Sequence, residues 1–371
     1  MKYKPALLET AAALLTALTL TACGGGDHVD NGKTASASVF KSMVLVSDGS
    51  VAAPNTAPDL KNGWGIAFNP AGAAWVSGNG SQKSVLFDGN GVPQSLIVTI
   101  PPGTNGVAGP TGIVFNGTAT DFMIATPDGS AKSNAVFMFA TEAGTIAAWS
   151  PKVLPTAAVT AFDDAAGGAI YKGLTLASNG GRNLLYATDF HNAKVDVFDA
   201  AFNKIALPGT FKDPSVPAGF APFGIQAVGS KIFVTYAQQD ASRKVQVTGA
   251  GLGVVDVFDL NGNLLQQIPA GGVLNAPWAV AQAPAGFGTL SNDILIGNFG
   301  DGNINAFDPV SLKPLGKLTL QDGTAFQQTG LWGLSFGNGV LNQPKTTLFY
   351  AAGPNKKVAG VYGRIDLANW R

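Results

Sequence analysis

An alternating run of apolar residues, introduced by Gly or Ala, recurs six times along the chain. Each copy follows a loop residue and is typical of a short strand bounded by turn-forming residues. The copies occupy residues 64–68, 111–115, 172–176, 223–227, 278–282 and 332–336. They recur at intervals of roughly 50 residues, the length of one four-stranded propeller blade. The pattern predicts an all-β protein, a six-bladed β-propeller.

Further apolar runs complete the predicted blades. A second run follows each copy, and the third run of most repeats ends in an aromatic residue and Asp, as in Phe87-Asp88 and Phe258-Asp259. Asp at this place starts a tight turn. The sixth repeat lacks a fourth run, whereas residues 43–47 form an unassigned strand before the first repeat. Because a closed ring has no open edge, we expect this N-terminal strand to complete the last blade.

The charge balance argues against nucleic acid as a partner. The chain has 23 Lys and Arg residues against 23 Asp and Glu residues, so no basic excess is available to neutralise phosphates. Charged residues make up 12% of the chain, where about 25% is typical. The 48 glycines suit many tight turns between short, buried strands.

The first residues predict export. Lys2 and Lys4 precede an apolar stretch, residues 6–22, as in a signal peptide. The stretch ends in Leu20-Thr21-Ala22-Cys23, which resembles a bacterial lipobox, whose Cys is lipidated and becomes the new N-terminus. Cys23 is the only cysteine, so no disulfide can form within the chain. The alternative is an ordinary secretory signal that is cut nearby.

These features divide the chain into three segments. We expect residues 1–22 to be a lipoprotein signal peptide, residues 23–38 a flexible tether and residues 39–371 the propeller. Gly24 follows the lipidated Cys, which favours an outer membrane lipoprotein, and a periplasm-facing membrane anchor is the alternative location. We expect contact with the membrane only through the N-terminal lipid.

Seven separated motifs carry a resemblance to a known family. They are Leu45-Val46-Ser47-Asp48, Asn62-Gly63-Trp64-Gly65-Ile66-Ala67, Phe139-Ala140-Thr141-Glu142-Ala143-Gly144-Thr145-Ile146, Tyr171-Lys172-Gly173-Leu174, Asp189-Phe190-His191-Asn192, Gly297-Asn298-Phe299-Gly300-Asp301-Gly302 and Leu331-Trp332-Gly333-Leu334 with Gly337-Asn338-Gly339. Together they resemble a bacterial family of exported six-bladed propellers of undefined function, some members of which carry a C-terminal sorting signal of the PEP-CTERM type. A weaker likeness links the chain to NHL-repeat and lactonase-like propellers. The resemblance implies fold and export, and it brings no catalytic residue.

The position after each second strand supplies candidate site residues at the channel mouth. Asn79, Glu142 and Asp189 occupy this position in the first three repeats, and Asn298 lies next to it in the fifth. Oxygen donors of this kind suit Ca²⁺. Lactonase-like propellers hold a divalent cation with a similar set, so Glu142 and Asp189 are candidate ligands for Ca²⁺ or another divalent cation. Asp, Asn and Glu also commonly cap strand ends and start turns, and direct contact with a sugar or peptide is a further alternative.

One histidine lies in the predicted propeller. His191 falls in a turn between the second and third strands of its repeat, where it is either a channel-mouth residue and the only candidate histidine base or a solvated turn residue. A zinc site is not expected, because neither a cysteine nor a second histidine is available there. Gly333-Leu334-Ser335-Phe336-Gly337 matches the serine-hydrolase elbow formally, but it lies in an innermost strand, where that chemistry lacks its context.

Aromatic residues recur at the first position of the repeats. Trp64, Phe223, Trp278 and Trp332 hold this position, which favours packing between blades or a stacked collar at the channel mouth. A role in stacking against a sugar is the alternative.

These observations favour a lipid-anchored envelope propeller that acts as a ligand-binding or scaffold module. No nucleophile, base and orienting group assemble in the sequence, so catalysis is left open. The partner would be a small molecule, a glycan or an envelope protein. The alternative function is a divalent-cation-dependent lactonase or hydrolase with its site at the central channel mouth.

Overall fold

Six antiparallel sheets form the blades of a β-propeller in the computed structural model, which describes residues 38–368. The predicted six-bladed all-β fold is therefore confirmed. The signal peptide, Cys23 and nearly all of the tether lie outside the described residues. Within residues 38–368, no helix is long and apolar enough to cross a membrane.

The strands follow the repeats closely. Before the first repeat lie β1 (Phe40–Ser47) and β2 (Asn55–Thr56). Blade 1 contains β3 (Gly63–Phe68), β4 (Ala74–Gly78), β5 (Lys83–Phe87) and β6 (Pro93–Thr99). Blade 2 contains β7 (Pro110–Phe115), β10 (Phe137–Thr141), β11 (Thr145–Trp149) and β12 (Val159–Asp163). Between β7 and β10, the strands β8 (Met123–Ala125) and β9 (Lys132–Asn134) form a separate two-stranded sheet. Blade 3 contains β13 (Tyr171–Asn179), β14 (Arg182–Asp189), β15 (Lys194–Phe198) and β16 (Lys204–Ile205).

The second half of the chain repeats this order. Blade 4 contains β17 (Phe220–Val228), β18 (Lys231–Gln239), the short β19 (Gln246–Val247), β20 (Val254–Asp259) and β21 (Leu264–Ile268). Blade 5 contains β22 (Pro277–Gln282), β23 (Ile294–Asn298), β24 (Ile304–Phe307) and β25 (Pro314–Lys317). Blade 6 contains β26 (Leu331–Phe336), β27 (Leu348–Ala352) and β28 (Val361–Leu367). The helical segments of residues 38–368 are the 3₁₀ turns Asn79–Ser81, Ala165–Gly167 and Gly288–Leu290 and the four-residue turn Pro354–Lys357.

The N-terminal strand closes the ring, as predicted. β1 pairs antiparallel with β28, with Phe40 opposite Leu367 and Ser47 opposite Val361. The sheet of blade 6 therefore runs in the order β2-β1-β28-β27-β26 and joins the two ends of the described chain. Phe40 is fully buried and its ring lies 4.6 Å from that of Phe287, so β1 contributes to the core as well as to the ladder.

The recurring glycine has a steric cause. A Cβ at Gly65, Gly224 or Gly333 would lie 2.6, 2.0 or 2.5 Å from a backbone oxygen of the next innermost strand. These glycines therefore let neighbouring blades approach each other at the axis. Ala279 replaces glycine in the fifth repeat and is buried there.

The central channel has two different ends. Aromatic side chains from the first positions of the repeats fill one end. The other end opens as a funnel of about 560 Å³ whose lining includes Ile66, Ile113, Val280 and Leu334. These four residues hold the same position in their repeats, so their side chains form a ring around the channel. The filled end is the mouth on which the candidate residues lie.

Candidate functional site

An aromatic plug fills the channel at this mouth. We define the plug as Trp64, Phe190, Phe223, Phe299 and Trp332. The rings of Trp64 and Trp332 stack at a centroid distance of 3.6 Å and an angle of 14°, and Phe299 lies 4.1 Å from Trp332. Trp64 and Trp332 are fully buried. Trp278, which also holds a first position, meets Trp64 and Trp332 edge-on at 6.2 and 6.1 Å. The aromatic residues of the first positions therefore pack into a collar, in which Trp64 and Trp332 are the stacked pair.

Lys172 places a charge in the wall of this plug. It holds the same repeat position as Trp64 and Trp332, yet only 1% of its side chain is exposed. Its Nζ lies 5.5 Å from the centre of the Trp64 ring and 5.8 Å from that of Phe190. The ammonium forms an ion pair with Glu142, which compensates the cost of burying the charge.

A chain of hydrogen bonds connects the plug to Glu142 across the first blades. Trp332 Nε1 donates to Asn62 Oδ1 at 2.9 Å, and Asn62 Nδ2 donates to Asn79 Oδ1 at 2.9 Å. Asn79 Nδ2 then donates to Glu142 Oε2 at 2.9 Å. A Cβ at Gly353 would lie 1.9 Å from Asn62 Oδ1, so the missing side chain leaves room for this amide. The chain fixes the orientation of each polar group.

Glu142 is held in its ionised form by these contacts. Burial alone would raise the pKa of its carboxyl group, but the charge of Lys172 and the hydrogen bonds from Lys172 and Asn79 outweigh burial. The pKa of Glu142 therefore lies below its ordinary value. About a third of the side chain, 34%, remains exposed. The result is an oriented carboxylate that solvent can still reach.

Asp189 faces its own turn. Its Oδ1 accepts hydrogen bonds from the backbone N–H groups of Ile170 and Asn192, and its Oδ2 accepts one from the Asn192 side chain at 2.7 Å. The residue is fully buried, and burial raises the pKa of its carboxyl group above the ordinary value. These contacts are those of a residue that organises the turn.

Asn298 is likewise buried away from the mouth surface. Its Nδ2 donates to the Val273 carbonyl oxygen at 2.9 Å, and its Oδ1 has no hydrogen-bond partner among residues 38–368. His191 lies instead at the rim, with Nδ1 3.3 Å from the Arg243 carbonyl oxygen. The structure thus separates Asp189 and Asn298, which are fully buried, from His191, which lines the mouth.

A cleft of about 680 Å³ lies beside the plug. Glu142 and His191 line it together with Asn105, Lys244 and Val245. Lys244 and Val245 lie in the loop between β18 and β19. Of the predicted site residues, Glu142 and His191 therefore line one cleft. Asn79 contributes indirectly, by donating a hydrogen bond to Glu142.

The predicted oxygen donors do not fit a divalent cation as they are arranged. Asn79 Oδ1 accepts a hydrogen bond from Asn62, and the two oxygens of Glu142 accept hydrogen bonds from Asn79 and Lys172. The oxygens of Asp189 accept hydrogen bonds from its own turn. Within residues 38–368, no group of three or more His, Cys, Asp or Glu side chains is placed to hold a metal. Metal ligation by Glu142 and Asp189 stays a prediction, and it would require Lys172 to move from the carboxylate.

A second lysine reaches the mouth from blade 6. Lys357 ends the turn Pro354–Lys357, and its Nζ lies 5.4 Å from the ring centre of Phe299 and 5.6 Å from that of Trp332. Nζ also donates to Gln246 Oε1 at 3.3 Å. Burial and then the charge of Lys172 lower the pKa of Lys357 to about 8, although the charges of Glu142 and Asp240 oppose this shift.

Sequence reasoning missed three residues of this site, namely Asn62, Lys172 and Lys357. Lys172 carries a usable signal, because it is the only charged residue at the first position of the six repeats. Asn62 and Lys357 lie in loops outside the repeat register, so no periodic pattern marks them.

The comparisons with known proteins place the chain near proteins without an assigned activity. Uncharacterized protein R648 of Acanthamoeba polyphaga mimivirus is 30% identical over 333 residues, which cover 88% of this chain and 80% of that protein. Uncharacterized protein L690 of the same virus is 31% identical over 275 residues, which cover 72% of this chain and 71% of that protein. No protein-family model matches the chain.

Solved structures of other propellers share the fold. A catalytically inactive virginiamycin B lyase from Staphylococcus aureus with quinupristin has a TM-score of 0.50 and 14% identity, and the match covers 89% of this chain and all, 100%, of that one. The gluconolactonase XC5397 from Xanthomonas campestris has a TM-score of 0.50 and 12% identity, with 90% of this chain and 91% of that one covered. At such identities the likeness shows the fold alone.

Proposed function

Because the chain belongs to the same family as uncharacterized protein R648 of the mimivirus, whose name assigns no activity, we propose its function from the geometry of the mouth. The propeller is a binding module that takes a small polar ligand in the cleft beside the aromatic plug. The ligand contacts Glu142 and His191 on the cleft wall.

The fixed carboxylate of Glu142 carries this proposal. Asn79 and Lys172 orient both of its oxygens, while a third of the side chain, 34%, faces the cleft. A carboxylate held in this way accepts hydrogen bonds from hydroxyl or N–H groups without a further cost of ordering. The cleft volume of about 680 Å³ is in the range of small-molecule sites. The geometry therefore supports recognition better than it supports a particular reaction.

The test is a binding screen with a matched carboxylate control. The full chain is titrated calorimetrically with sugars, polyols, sugar acids and short peptides. We expect a ligand whose affinity falls at least about tenfold in Glu142→Gln, because one charge-assisted hydrogen bond contributes roughly 1.5–3 kcal/mol. Asp322→Asn removes an exposed carboxylate far from the cleft lining and should bind as the wild type does.

The same screen separates the remaining candidates. Unchanged binding in Glu142→Gln, or no ligand that depends on Glu142, would refute the proposal. Hydrolysis of a lactone that requires a divalent cation and is lost in Glu142→Gln would support the hydrolase alternative instead.

We also propose that Cys23 anchors the propeller to the outer membrane through a lipid. The lipobox-like Leu20-Thr21-Ala22-Cys23 followed by Gly24 supports this location, and the seven motifs support kinship with the exported bacterial family. The test is incorporation of labelled palmitate in a bacterial host. We expect label in the wild type in the outer membrane fraction and none in Cys23→Ser. Label that persists in Cys23→Ser would contradict the proposal.

A further inference from the structure

We infer that the ligand of the cleft carries a carboxylate, which Lys357 binds at the edge of the aromatic plug. This inference rests on the proposed function and adds the chemical class of the ligand. The ligand would place its polar body against Glu142 and its anionic group at the Lys357 ammonium.

Gln246 connects Lys357 to the edge of the cleft. Lys357 Nζ donates to Gln246 Oε1, and Gln246 follows Val245, which lines the cleft. On the other side the ammonium lies over the rings of Phe299 and Trp332, at 5.4 and 5.6 Å. The rings cover one side of the ammonium, and the bond to Gln246 uses one of its three donors.

No carboxylate of the described chain forms an ion pair with Lys357. The acidic groups whose charges act on it from a greater distance are Glu142 and Asp240. Glu142 is paired with Lys172. Asp240 accepts the N–H groups of Lys244 and Val245 of its own loop. Lys244, which forms no ion pair with another residue of 38–368, adds a further positive charge to the cleft lining, so the two lysines complement an anion.

The backbone holds Lys357 in place at a conformational cost. Asn355, Lys356 and Lys357 have φ angles of 52°, 56° and 70°, in the left-handed region that non-glycine residues rarely adopt in succession. The N–H of Lys357 donates to the Gly353 carbonyl oxygen, which fixes this turn on the end of β27. Strain of this kind persists where the surroundings determine the conformation, and it is frequent at binding sites.

Binding of a carboxylate would be coupled to proton uptake. Burial and Lys172 lower the pKa of Lys357 to about 8, so near pH 8 about half of the molecules lack the proton. An anion next to the ammonium moves the pKa back toward its ordinary value of 10.5. Linkage then requires that the complex take up a fraction of a proton at this pH. A neutral ligand in the same cleft gives no such uptake at Lys357.

The test compares a carboxylate with a neutral molecule of the same skeleton. Gluconate and sorbitol are titrated calorimetrically into the full chain at pH 8, in two anion-free buffers of different ionisation enthalpy. We expect gluconate to bind at least tenfold more tightly than sorbitol, with proton uptake near half an equivalent. In Lys357→Met both the preference and the uptake should disappear. Lys356→Met, which removes the exposed neighbouring ammonium, should change neither.

A second measurement does not depend on the affinity of gluconate. Side-chain NMR of the Lys357 Nζ follows its pKa with and without a high concentration of acetate, the simplest carboxylate. We expect the pKa to rise by at least half a unit in acetate and not in acetamide. An unchanged pKa, or gluconate binding that survives in Lys357→Met, would overturn the inference.

The outcomes distinguish this inference from the proposed function. If sorbitol binds as well as gluconate and Glu142→Gln abolishes both, the cleft is a ligand site and the role of Lys357 is wrong. If neither molecule depends on Glu142 but acetate raises the pKa of Lys357, the anion site is real and the proposed cleft is wrong.

Discussion

Asp256 is expected to destabilise the folded protein at neutral pH. Its Oδ1 accepts a hydrogen bond from Gln267 Nε2 at 3.0 Å, and its Oδ2 has no hydrogen-bond partner among residues 38–368. The residue is fully buried. Burial, together with the nearby charge of Asp213, raises the pKa of Asp256 from 3.8 to about 6. The charged form is therefore disfavoured in the fold.

The size and sign of the effect follow from this shift. A rise of roughly two pKa units corresponds to about 3 kcal/mol. The folded protein binds the proton more tightly than the unfolded chain does, so the contribution of Asp256 to stability falls as pH rises from about 4 to about 6. Asp256→Asn removes this penalty. We expect the free energy of unfolding to rise by about 2–3 kcal/mol at pH 7 and to change little below pH 4.

Asp196 supplies a matched control with the opposite sign. It holds the same place in the same sequence, Asp-Val-Phe-Asp, one blade earlier. Burial would raise the pKa of Asp196, but hydrogen bonds from Lys204 and Lys194 and the charge of Lys204 hold it below the ordinary value. Asp196→Asn should therefore lower stability at pH 7.

Urea unfolding of the full chain at several pH values between 4 and 7 measures both variants. The reasoning is refuted if Asp256→Asn is no more stable than the wild type at pH 7. It is also refuted if the difference between them does not depend on pH.

Three further predictions follow from the packing. Deletion of residues 39–48 leaves β28 with an open edge and should abolish the cooperative thermal transition; a wild-type melting temperature would contradict closure by β1. Gly224→Ala should lower the free energy of unfolding by at least about 2 kcal/mol, since its Cβ would lie 2.0 Å from a backbone oxygen, whereas Gly272→Ala meets nothing within 4 Å and should stay within roughly 0.5 kcal/mol in the same urea assay. Lys172→Met should cost about 2–3 kcal/mol by leaving Glu142 unpaired, and Glu142→Gln in the same chain should recover part of this loss; additive effects would argue against the pair.

The sequence was most informative where one physical requirement repeats. Each innermost strand approaches its neighbour's backbone, which demands glycine or alanine at one position, and the same demand recurs in every blade. Closure was predictable for the same reason, because a missing fourth strand in blade 6 and a surplus strand at residues 43–47 have one common solution.

The site was only partly predictable, since it breaks the repeat. The position after each second strand correctly identifies Asn79 and Glu142 as neighbours, because Asn79 Nδ2 donates a hydrogen bond to Glu142 Oε2 at 2.9 Å. The same position also selects Asp189, whose oxygens bind its own turn instead of the mouth. The repeat register places a residue at a strand end, but it does not determine the direction of the side chain. Lys357 depends on a left-handed turn of non-glycine residues, which no local propensity favours.

The pairing of β1 with β28 also sets the order of events in synthesis. Among the strands of residues 38–368, β1 is synthesised first, and its antiparallel partner β28 is synthesised last. Although Val46 pairs with the nearby Asn55 of β2, the edge of β1 that faces β28 must remain unpaired while the other five blades are made. An apolar strand whose edge stays unpaired during synthesis can associate with other chains. The fold thus makes the newly synthesised chain, rather than the finished propeller, the stage at which chaperones have most to protect.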